Sequence, residues 1–152
     1  MKLLSFPSQD YQDYRLKIIF DGYKWDPQFS DNNTIAPYYL VLSQKEHQLL
    51  VNYVEKLGRE TEAAENFLYQ NRKFLKPLKL PFKIKDALRH LKNYQPDQHL
   101  RLMRFDFHPI LGDDWAISEV NSDVPGGFAE SSYMPEIALK YLKQNNYQSF
   151  NF

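Results

Sequence analysis

Cysteine is absent from all 152 residues. That excludes disulfides, thiolate zinc sites and a catalytic thiol together, and it matches a reducing compartment. Charge of neither sign is in excess, because 19 Lys and Arg balance 19 Asp and Glu. Proteins held to nucleic acid by general electrostatic attraction carry a basic surplus, so nucleic acid is not an expected partner. No apolar run is long enough to cross a bilayer, and the start, Met1-Lys2-Leu3-Leu4-Ser5-Phe6-Pro7, lacks the apolar stretch of a signal peptide. The expectation is a cytoplasmic protein with no membrane partner. Glycine is scarce, with 5 residues, and none belongs to a phosphate-binding loop that ends in lysine. Gly-x-Ser-x-Gly does not occur, and His47, His90, His99 and His108 show no metal-ligand spacing. Internal repeats and low-complexity tracts are also missing.

Aromatic residues are plentiful at 16%, which rules out wholesale disorder. The length suits one domain with one core, residues 1–152. Trp25, Trp115 and the Tyr and Phe set are core candidates. Residues 14–20 and 38–42 read as strands, separated by turn-rich sequence around Asp26-Pro27 and Asp31-Asn32-Asn33. Ser43 with Glu46 three residues on forms a capping box. Leu50, Val54, Leu57, Thr61, Ala64 and Leu68 then follow in steps of four and three, which predicts a helix over 44–70, with a bend at Gly58. Residues 72–92 read as short helices broken at Pro77 and Pro81. They hold eight basic residues against Asp86 alone. This run is either a phosphate or RNA patch or an ordinary solvated face. Strands are predicted over 100–108 and 115–121, and a loop at 123–127. A last helix is predicted over 135–143, capped by Ser131 or Ser132. The predicted class is α+β, a small, mainly antiparallel sheet with packed helices.

The chemistry-bearing residues lie in 104–128. Arg104 and Asp106 share one face of the first strand, and Glu119 and Asn121 share one face of the second. A two-residue turn at Gly112-Asp113 pairs Asp106 with Glu119 and Arg104 with Asn121. A bulge near Pro109 would shift that register. Facing carboxylates repel, so Arg104 or a bound cation must offset the repulsion. Two carboxylates and an amide oxygen are hard ligands that suit Mg²⁺ or Mn²⁺, usually alongside phosphate and water. The set therefore reads as a nucleotide-phosphate site with Arg104 facing phosphoryl oxygens, or as a salt-bridge cluster on an exposed ribbon. No Lys or Arg occurs from Phe105 to Leu139, whereas seven acidic residues do. His108 either borders this site or belongs to the turn.

The pattern Arg104-Phe105-Asp106-Phe107, then Glu119-Val120-Asn121-Ser122-Asp123-Val124-Pro125, resembles the glutathionylspermidine synthase family of ATP-grasp amide ligases. Trp25-Asp26-Pro27-Gln28 and Glu60-Thr61-Glu62-Ala63-Ala64 are similar to the leading part of such enzymes. The resemblance implies that Asp106, Glu119 and Asn121 ligate Mg²⁺ on ATP and that Arg104 is the catalytic cation. It implies activation of a carboxylate, in a peptide or a smaller acid, as an acyl phosphate that an amine attacks. Val120 and Val124 stand where the family carries Tyr and Thr. Asp123, Gly126 and Gly127 form a substrate loop or a flexible turn. The family's ATP-clamping lysines lie beyond the matched region. The expectation is thus the leading part of a ligase, as a fragment, a truncated product or one half of a split enzyme whose ATP site a second polypeptide would complete, or else a degenerate binding module without activity.

Overall fold

The computed structural model describes residues 1–112 and 114–142. It is α+β, but not with one sheet. Its six described strands form three separate two-stranded antiparallel ribbons. By contact the chain divides into two compact units, Met1–Glu46 with the chain from Gly126 onward, and His47–Pro125. No described helix is long and apolar enough to cross a membrane.

The first unit begins with β1 (Lys2–Ser5) and α1 (Ser8–Phe20). The strand expected over 14–20 is therefore helix. The reason is visible in the burial, because Tyr14 and Ile18, four apart and one above the other on a helix, are both buried. Tyr14 stacks on Phe6 with ring centroids 4.4 Å apart, and its hydroxyl lies 2.7 Å from that of Tyr39. Burying that hydroxyl is tolerable because it has a partner. β2 (Gln28–Phe29) and β3 (Asn32–Asn33) form a short ribbon, and β4 (Tyr38–Val41) pairs with β1, Leu3 opposite Leu40. The tryptophan expectation fails at Trp25, which is 85% exposed; Phe6, Tyr14, Ile18, Ile35, Ile137 and Ala138 form the core instead.

A helix, α4 (Phe128–Leu142), follows the second unit in sequence. It starts before the expected Pro135, which lies inside it. Ser131 and Ser132 are not caps. Their hydroxyls bond back to the Phe128 carbonyl at 3.1 and 2.8 Å. Tyr133, Met134, Ile137, Ala138 and Tyr141 join the core, and that continuous packed face carries the helix through the proline. Lys143, the expected end, is outside the described residues. Gly22 follows α1 where a Cβ would come 2.7 Å from the Ile18 carbonyl oxygen and 2.9 Å from the Tyr133 ring.

In the second unit the long helix α2 (Gln44–Gln70) matches its expected bounds. Its cap belongs to the first unit: the Ser43 N–H donates to Glu46 Oε2 at 2.7 Å, and the Glu46 N–H donates to Ser43 Oγ at 3.2 Å. A 3-10 turn (Arg72–Leu75) and α3 (Phe82–His90) follow. Then comes a hairpin of β5 (Arg104–Ile110) and β6 (Asp114–Asn121), so the strand expected from 100 starts at 104.

Candidate functional site

The β5–β6 register sets Asp106 opposite Glu119 and Arg104 opposite Asn121, the pairs expected from sequence. The route there differs. Ile110 faces Asp114, so the connection is one residue longer than a two-residue turn, and Gly112 there has φ +90°. Asp113, the second half of the expected turn, lies outside the described residues. A bulge then restores the pairing, since Asp106 opposes Glu119 while Phe107 opposes Ile117. Ser118 is the extra residue. The bulge sits at Asp106/Phe107, not near Pro109. Two one-residue departures cancel.

Arg104 holds Asp106 with two parallel hydrogen bonds, Nε to Oδ1 at 2.7 Å and Nη2 to Oδ2 at 3.0 Å. Its Nη2 also lies 3.9 Å from Glu119 Oε1. The guanidinium thus offsets the repulsion of the facing carboxylates. It keeps the Asp106 carboxyl below the usual aspartate range, and Asp106 in turn raises Arg104. The Asn121 amide oxygen accepts from the Asp123 N–H at 3.3 Å, which turns the chain out of β6.

Two residues enter that the spacing did not assign. His108 is in β5 opposite Ala116, not in the turn. Its Nε2 lies 2.7 Å from the hydroxyl of Ser118, which also donates to the Asp106 carbonyl at 3.3 Å. Only the bulge brings Ser118 to that partner, and the sole sequence signal for His108 was its position two residues after Asp106. The hairpin is tied to α2 by Tyr53, whose ring stacks on Phe107 at 6.3 Å and whose hydroxyl donates to Asp114 at 2.8 Å.

Among the described residues no group of three or more His, Asp or Glu side chains gathers as a metal cage. The Asp106–Glu119–Asn121 set has two carboxylates and an amide. In the first unit, Gly127 has φ +92°, a backbone that favours glycine, whereas a Cβ at Gly126 or Gly127 would meet nothing within 4 Å. Glu130, in the first turn of α4, is held by Lys24, which also pairs with Asp26. No family model, curated protein or solved structure matches the chain.

Proposed function

We propose that the Arg104, Asp106, Glu119 and Asn121 face contributes the Mg²⁺–ATP ligands of a carboxylate–amine ligase of glutathionylspermidine synthase type. The observation that carries this reading is the pairing of Asp106 with Glu119 and of Arg104 with Asn121. The donors fit a hard divalent cation, being oxygen throughout. Arg104 takes two of the roughly four acceptor positions of the Asp106 carboxylate, which leaves others for a metal ion. Asp106, Glu119 and Asn121 would hold Mg²⁺ or Mn²⁺. A cation held there beside ATP would supply charge neutralisation at the phosphoryl oxygens. Arg104 orients Asp106, keeps it ionised and brings a permanent positive charge to the same face. Asp123, Gly126 and Gly127 are the proposed substrate loop for a carboxylate or peptide, which an amine then joins.

The bidentate Arg104–Asp106 pair favours one other reading, a binding module that keeps the fold without ligase activity. Titration calorimetry with Mg²⁺–ATP separates the two. Heat from the wild type that disappears in Asp106→Asn, with circular dichroism unchanged, supports the ligase site. Equal heats from both proteins, or none from the wild type, count against it.

A further inference from the structure

A cavity of about 480 Å³ lies in the second unit, with Leu68, Tyr69, Leu75, Leu88 and Leu91 on its walls. A neighbouring cavity of about 320 Å³ is lined by Arg72, Lys76, Lys85 and Arg89. Arg72, Leu75 and Leu88 line both, so the two share a wall. The fold thus gathers four members of the basic run around one opening beside a leucine-lined space. The larger volume is within the range of small-molecule sites.

The charges there are poorly compensated from within. Lys85 and Arg89 are four apart on α3, where like charges repel. None of the ion pairs among the described residues involves Arg72, Lys76, Lys85 or Arg89. Arg72 lies over the Tyr69 ring, 5.3 Å from its centroid. The nearby carboxylates form no ion pair with these four. Asp86 faces His90 at 3.7 Å, and Glu65, on the apolar cavity, is held by Arg101 and by the Tyr94 hydroxyl. The combined space is therefore apolar at one end and cationic at the other.

We infer that it binds a single-chain amphiphilic anion, a medium-chain carboxylate whose alkyl chain fills the leucine-lined cavity and whose headgroup sits among Arg72, Lys76, Lys85 and Arg89. Charge complementarity fixes the direction, since a carboxylate at the other end would meet Glu65. A nucleic acid strand would use the basic rim and leave the leucine-lined space empty. The site shares no residue with the β5–β6 face, so it stands apart from the ligase reading.

The test uses the full chain and decanoate below its micelle concentration, followed by methyl chemical shifts and calorimetry. The expected result is saturable one-to-one binding with shifts at Leu68, Leu75 and Leu88. Lys85→Gln and Arg89→Gln should each weaken it about fivefold, as for a partly exposed ion pair. Decanol should bind more weakly than decanoate. Leu88→Trp should abolish binding by filling the shared wall; the two rim variants decide the matter if Leu88→Trp does not fold. Four results would overturn the proposal: shifts confined elsewhere, inorganic phosphate binding as tightly as decanoate, unchanged affinity in both rim variants, or an RNA oligomer binding the rim while decanoate does not.

Discussion

At Asp106, two hydrogen bonds from Arg104 set both orientation and ionisation. Because the folded carboxyl is depressed, the pair contributes stability above the unfolded value of about 3.9 and loses it as pH falls through the lower folded value. On the proposed reading, a carboxylate that stays charged into acid would still ligate the cation there. A carboxyl-detected NMR titration should find Asp106 ionising below ordinary aspartate. Arg104→Gln should move it upward, and an unmoved titration would show that the guanidinium is not the cause. These residues were legible in sequence because strand alternation needs only spacing of two. Ser118 was not, because its contact with His108 arises from a backbone irregularity that no side-chain pattern encodes.

At the level of single elements, what could be read depended on whether the signal was local. Ser43 and Glu46 announce α2 because each satisfies the other's backbone N–H. Ser43→Ala should lower stability by about 1 kcal/mol in urea melts, and Ser43→Asp should retain most of it. The helix α1 was hidden by Ile18-Ile19-Phe20, a β-branched and aromatic run that reads as strand; Tyr11, Tyr14 and Ile18 at helical spacing were the better signal. The start of α4 was hidden by Pro135, whose cost the core contacts outweigh. Gly22 permits the close approach of Tyr133 to the end of α1. Gly22→Ala should cost about 1–3 kcal/mol in thermal melts, since one contact it would create is with backbone. A change under 0.5 kcal/mol, about the size of an ordinary surface substitution, would show that α4 can shift to relieve it.

Across the whole molecule, burial is uneven. All six buried core residues belong to the first unit, whereas Pro96 is the one buried residue described in the second. Local opening follows burial, so amides of α1 near Tyr14 and Ile18 and of α4 near Ile137 should exchange slowest. Those of α3 should exchange at least about tenfold faster, and uniform protection would contradict this. That contrast was not legible in composition, because Phe82 at 72% exposed and Leu100 at 96% count toward hydrophobicity as fully as Tyr14 does. Nor does any short strand carry in its sequence the number of neighbours it will have, which is why one sheet was expected where there are three ribbons.

The ribbons have a further consequence. With only one ladder apiece, all six described strands keep a flank of amide and carbonyl groups outside any sheet. Such flanks are templates for recruiting extended peptide from another molecule. Pro109, with no amide hydrogen to offer, removes one donor from β5 and blunts that docking rail.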